Sequence, residues 1–145
     1  MTPAALTKTP PFQIRNIDHV VLRVRDLDRA LGFYCGVLGC IIERQLKDRG
    51  LTQLRAGLSL IDLVVVDSEL GRKLGAGPAA EGRNMDHFCL RVDPFDGAAI
   101  LSALRAQGLK PDEVAQRYGA EGMGPSIYLE DPDGNTVELK GPPNP

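Results

Sequence analysis

Both histidines of the chain stand in one repeated segment. Ile17-Asp18-His19-Val20-Val21-Leu22-Arg23-Val24 and Met85-Asp86-His87-Phe88-Cys89-Leu90-Arg91-Val92 align without a gap at an offset of 68 residues (87 − 19). Each half closes on an apolar run with one carboxylate, Leu60-Ile61-Asp62-Leu63-Val64 in the first and Thr136-Val137-Glu138-Leu139-Lys140 in the second. Imidazole nitrogens and carboxylate oxygens together hold borderline divalent ions. A unit that supplies one of each, twice, predicts a metal centre with His19, Asp62, His87 and Glu138 as ligands. A lone histidine on a strand is ordinarily a satisfied structural residue, but two at equivalent positions of a repeat call for one explanation. Asp62 and Glu138 sit among Leu, Ile and Val and are costly to bury without a cation or donors, which a Lys or Arg is the alternative means of supplying.

These residues need elements to position them. Along 17–24 the chain alternates, with His19, Val21 and Arg23 on one face and Asp18, Val20, Leu22 and Val24 on the other, which predicts a half-buried strand. Asp26 is placed as a helix N-cap, Leu27, Ala30, Leu31, Tyr34 and Leu38 recur at helical spacing, and Gly39 supplies a left-handed stop. Strands are expected over 41–46, 51–56 and 58–66, separated by Lys47-Asp48-Arg49-Gly50 and Gly57. The glycine-rich segment 67–84 reads as a connector with a short helical turn.

The second copy repeats the plan. A strand covers 85–92, Asp93 caps a helix with Pro94 at its first position, and Gly108 stops it. A short strand holds Val114 and Tyr118, another spans 126–130, and Asp131-Pro132-Asp133-Gly134-Asn135 turns into the strand 136–140. The expected class is α+β, two βαβββ modules forming curved mixed sheets around a concave metal-binding cup. The expected domain is 14–140 (module one 14–66, linker 67–84, module two 85–140), with proline-rich tails 1–13 and 141–145, frayed or extended.

Alternation places His87, Cys89, Arg91, Ser126, Tyr128, Thr136, Glu138 and Lys140 on the same side of the second unit. Arg23 and Arg91 each follow a histidine by four positions on its own face, where a guanidinium can meet an anionic substrate group. Tyr128 and Lys140 are further substrate-contact candidates. Cys89 reads as a small apolar filler rather than a nucleophile.

Composition narrows the function classes. The 145 residues are 43% hydrophobic and 25% charged, ordinary for one globular domain. Seventeen basic against 19 acidic residues leave a net charge of −2 and no basic stripe, so nucleic acid is not an expected partner. No apolar run approaches the roughly 20 residues that span a bilayer, and 1–12 has no secretory apolar core, so neither a membrane nor export is expected. Three cysteines, Cys35, Cys40 and Cys89, have no C-x-x-C spacing and fit reduced thiols in a cytoplasmic protein.

The segments Ile17 to Asp26 with Phe33-Tyr34 and Leu38-Gly39, Met85 to Val92, and Leu129-Glu130-Asp131-Pro132-Asp133-Gly134-Asn135-Thr136-Val137-Glu138-Leu139 resemble the vicinal oxygen chelate superfamily. That superfamily includes glyoxalase I, fosfomycin resistance proteins, extradiol dioxygenases and bleomycin-binding proteins. The resemblance runs over 14–140 and implies the paired-module fold. It implies His19, His87 and Glu138 as ligands, with Asp62 where glyoxalase I carries a fourth, normally Glu. Arg23 and Arg83 match positions that hold the carboxylates of glutathione, whereas Val66 stands where an asparagine is usual. The stretch 117–126 looks like a substrate-covering loop. A homodimer is implied, with modules exchanged and each metal site shared between chains.

Members share a divalent ion that stabilises negative charge on two adjacent substrate oxygens. The expectation is a metal-dependent lyase or isomerase resembling glyoxalase I, acting on a small metabolite or thiol adduct, with Glu138 and Asp62 as the proton-moving and metal-holding carboxylates. The metal is nickel, cobalt, zinc, manganese or iron. The alternatives are a fosfomycin-type thiol transferase, a ring-cleaving dioxygenase, disfavoured because no further histidine exists for acid–base work, and a drug-sequestering module without metal.

Overall fold

A computed structural model describes residues 14–83 and 85–145; the expected N-terminal tail 1–13 lies outside the described residues. Strands β1 (His19–Val24), β2 (Ile41–Leu46), β3 (Leu51–Ala56) and β4 (Ser59–Val65) form one sheet in the order β1-β4-β3-β2. Strands β5 (His87–Arg91), β6 (Ala115–Gly119), β7 (Gly122–Glu130) and β8 (Thr136–Lys140) form the other in the order β5-β8-β7-β6. In each sheet the first strand runs parallel to the last and the rest are antiparallel. Two four-stranded mixed sheets with few helices are the expected paired βαβββ architecture.

The first helical segment opens as expected. Asp26 accepts from the Arg29 amide, satisfying a donor that has no helical partner, and α1 runs Leu27–Leu31. Residues Gly32–Val37 then widen into a π-helix rather than continuing the α-helix to Gly39. Gly39 does take the left-handed conformation, at φ 80°.

The second helix corrects the sequence reading. Helix α2 is Gly97–Ala106 and its cap is Asp96, whose carboxylate accepts from Ala99 N at 3.1 Å; Asp93 precedes a cis bond to Pro94 and caps nothing. Packing supports the later start, because Gly97 lies so close to Val114 that a Cβ there would be 2.7 Å from Cγ2. The stretch 117–126, expected as a covering loop, is instead the β6–β7 hairpin, paired from Ala115↔Ser126 to Gly119↔Gly122. The C-terminal residues run beside β7, held by Gly141 N to Pro125 O at 2.8 Å and Asn144 N to Met123 O at 2.7 Å.

One core joins both modules. Leu22, Val24, Phe33, Tyr34, Leu54 and Leu63 pack with Leu104, Leu129, Val137 and Leu139. Asp131 fastens them: its buried carboxylate accepts from Tyr34 Oη at 2.6 Å, Asp133 N at 2.9 Å, Asn135 N at 2.8 Å and Asn135 Nδ2 at 2.8 Å. Burial, then the Asp131 charge, raises the Tyr34 pKa far above its ordinary value, so the phenol remains a donor. The hub also shapes the turn from which β8 carries Glu138. Asp131→Ala orphans several buried donors, and we expect it to cost about 3 kcal/mol in denaturant unfolding, against about 1 kcal/mol for Tyr34→Phe. Equal losses for the two variants would show that Asp131 is no hub.

Candidate metal centre

The two modules build the same local arrangement. His19 on β1 lies opposite Leu60 of β4, with Asp62 two residues beyond on the same face; His87 on β5 lies opposite Thr136 of β8, with Glu138 two residues beyond. Both carboxylates are buried, at 4% and 5% exposure. Both imidazoles are held from behind by the preceding residue. His19 Nδ1 donates to Asp18 Oδ2 at 2.8 Å, and His87 Nδ1 donates to Asp86 Oδ1 at 2.7 Å.

An ionised carboxylate can only accept, so each Nδ1 carries a proton, and in the neutral ring Nε2 presents its lone pair. In module two that lone pair faces Glu138 Oε1 at 3.2 Å. Two acceptors so placed need a cation or a proton between them. In module one, Gln53 Nε2 donates to Asp62 Oδ2 at 3.0 Å, while Asp62 Oδ1 is buried with no partner. An orphaned buried carboxylate oxygen is costly unless a cation takes it. The residues present therefore fit a divalent metal.

Within one chain the four donors do not surround one ion: among the described residues no group of three or more His, Cys, Asp or Glu is placed to hold a metal. Each module offers one imidazole and one carboxylate, half of a coordination set.

The pKa directions follow from these contacts. The hydrogen bond to Asp18 raises His19 above the ordinary histidine value, opposed by burial and assisted by the Asp62 charge. Tyr128 packs edge-on to His87, with ring centroids 5.2 Å apart, and its phenol is raised by burial and then by the Glu138 charge. Partial burial pushes the Cys89 thiol up to about 11, so it stays protonated at neutral pH.

The expected substrate arginines are engaged within the chain. Arg23 donates to the carbonyls of Ala76 at 3.0 Å, Gly71 at 2.8 Å and Gly75, clasping the connector, with its Nε buried and unpartnered. Arg83 donates to Gly134 O at 3.0 Å and Asp133 O at 3.2 Å, and Arg91 Nε pairs with Glu121 at 2.7 Å. Lys140 is buried at 5% exposure on the face shared with Glu138. The sequence reading passed over Asp18, Asp86, Gln53 and Arg117. For the two aspartates the signal was available, since the repeat copies an Asp-His doublet and not merely a histidine.

A family model described as Glyoxalase/Bleomycin resistance protein/Dioxygenase superfamily matches residues 16–139. The chain belongs to this superfamily. Its similarity to the lactoylglutathione lyase of Haemophilus influenzae is 32% identity, covering 83% of this chain and 88% of that protein. It is 33% identical to a protein of Arabidopsis thaliana named probable lactoylglutathione lyase, chloroplastic, over 88% of this chain but only 37% of the plant protein. Among solved structures, a protein from the mobile metagenome of V. Pseudocholerae aligns with TM-score 0.73 at 28% identity, covering 92% of this chain and 98% of that one. The superfamily also accounts for the equal registers of the two sheets, because its fold is the paired module.

Proposed function

We propose that the chain is a metal-dependent lyase or isomerase of the glyoxalase I type, acting on a small metabolite or thiol adduct that carries two adjacent oxygens. The supporting observation is the duplicated pair of a backed imidazole and a buried carboxylate, one pair per module. Each pair alone supplies too few ligands for a divalent ion. In our reading the chain works as a homodimer, in which His19 and Asp62 of one protomer meet the partner's His87 and the partner's Glu138.

The bound ion, nickel, cobalt, zinc, manganese or iron, would stabilise negative charge on the substrate's adjacent oxygens. In this reading Glu138 would take a proton from one substrate carbon and return it to the next, with Tyr128, its register partner, protonated beside it as a donor. Asp62 would hold the ion through Oδ1, while Gln53 Nε2 donates to Oδ2 and orients the carboxylate. Among the described residues no helix is long and apolar enough to cross a membrane. The free thiols of Cys35, Cys40 and Cys89 fit our assignment to the cytoplasm.

Elemental analysis of purified protein, with His19→Ala beside it, tests this reading. We expect one divalent ion per protomer, metal affinity reduced more than about tenfold by His19→Ala, and chelator-sensitive isomerisation of a hemithioacetal. Metal-free, chelator-indifferent protein would favour the drug-sequestering alternative and overturn the proposal.

A further inference from the structure

The cations of the two sheets are mostly neutralised. Arg55 pairs with Glu43, Arg91 with Glu121, Arg105 with Glu113 and Arg25 with Asp133. Arg23 and Arg83 are taken up by backbone carbonyls. Of the strand cations that remain, Arg44, Arg117 and Lys140 have no carboxylate partner among the described residues; Arg44 is exposed on β2, whereas Arg117 and Lys140 both lie beside the Glu138 half of the metal centre.

Lys140 follows Glu138 by two residues on β8 and so shares its face. Its side chain is buried in a groove with glycine walls. A Cβ at Gly119 would lie 2.8 Å from Lys140 Cε, and one at Gly124 would lie 3.0 Å from Nζ. The glycines at 119 and 124, part of the stretch expected to be a substrate-covering loop, are the residues that make room for this stem. The stem is buried while Nζ keeps access to solvent, and the groove carries Nζ across β7 toward Arg117, the register partner of Gly124.

Arg117 comes from the other side. Its guanidinium stacks on the Tyr128 ring at 4.1 Å, and Nη1 donates to Ser126 O at 3.1 Å and Ser126 Oγ at 2.8 Å. Ser126 is itself fully buried and is the register partner of Lys140. An ammonium and a guanidinium thus flank one buried hydroxyl, on the same face as Tyr128 and Glu138.

We propose that Lys140 and Arg117, with Ser126 between them, seat an anionic group of the substrate, a carboxylate or a phosphate, next to the chelated oxygens. The substrate class is then an acid rather than a neutral oxygenated metabolite. The inference rests on the metal-centre reading for its place in the reaction but not for its binding chemistry, because planar guanidinium and ammonium donors recognise such oxyanions on their own.

The experiment uses the full-length chain in two forms. On metal-loaded protein, calorimetric titration compares acetohydroxamate, which has adjacent oxygens and no further anion, with tartronate and 2-phosphoglycolate, which add a carboxylate and a phosphate. Lys140→Met and Arg117→Gln are each expected to weaken at least one acidic probe by about tenfold, the worth of one charge-assisted hydrogen bond, and to leave acetohydroxamate unchanged. The more affected acid identifies the anion. On metal-free protein, stabilisation of the fold by inorganic phosphate or malonate should be lost in the same variants. Equal losses for all three probes, or no effect of either substitution on any anion, overturns the proposal. A chain that takes no metal yet loses anion binding in Lys140→Met keeps this inference and removes the previous one.

Discussion

Mixing two inactive variants should restore activity. His19→Ala and His87→Ala each remove an imidazole from every site, so both homodimers are expected to lose turnover. In a dimer that joins module one of one protomer to module two of its partner, a heterodimer of the two variants has one site with both lesions and one site with neither. Random re-association after unfolding and refolding makes half of the dimers hetero, so about a quarter of wild-type activity should return. A site closed within one chain would return none. The physical ground is ligand arithmetic: among the described residues no three His, Cys, Asp or Glu are placed to hold one ion, and His19 with Asp62, or His87 with Glu138, leaves a divalent ion half coordinated. Re-mixing without refolding serves as the control, since intact dimers exchange no modules.

The pattern that makes the strands readable is silent on how the sheets assemble. Alternation from Ile17 to Val24 and from Met85 to Val92 assigns a face to each side chain, and β1 and β5 carry those faces, with Leu22 and Val24 buried and His19 exposed. A face assignment does not say which second sheet it opposes, so the same four donors are equally consistent in sequence with one chain or with two. The helix ends show a similar limit. Asp26 directly precedes the first apolar residue of its helix, and it caps there. Asp93 and Asp96 are both good caps by residue type, and the choice between them is made by tertiary contacts, Gly97 on Val114 and Phe95 over Gly141.

The arginines were hardest to read for a simple chemical reason. Arg23 and Arg83 bind backbone carbonyls of the connector and of the 131–135 turn, and a carbonyl has no letter in the sequence. Arg117 stood in the same position in reverse. It falls in the stretch expected to be a substrate-covering loop, whereas the glycines there close a hairpin and leave space for Lys140. The π-helical turn at Gly32–Val37 was likewise out of reach, because apolar residues at 3.6 spacing predict helix without distinguishing how far each amide reaches for its carbonyl.

Glu138→Gln is expected to lower turnover of the hemithioacetal by about 10²–10⁴-fold while the protein keeps its fold. Glutamine has the same shape and retains one carbonyl oxygen for the ion, but it cannot accept and return a proton near neutral pH. Assays at saturating metal separate that loss from the weaker donation of an amide oxygen. The surroundings make the substitution clean: Glu138 is buried at 5% exposure between the His87 ring and its register partner Tyr128, with little room for water to take its place. Binding of acetohydroxamate should survive, since chelation needs the ion and not the base. If turnover also survives, the proton is moved by another carboxylate, and Asp62, whose Oδ1 has no partner, is the residue to which the role passes. Asp62→Asn would then show the large loss in place of Glu138→Gln, and the two variants together decide which module supplies the base and which only holds the ion.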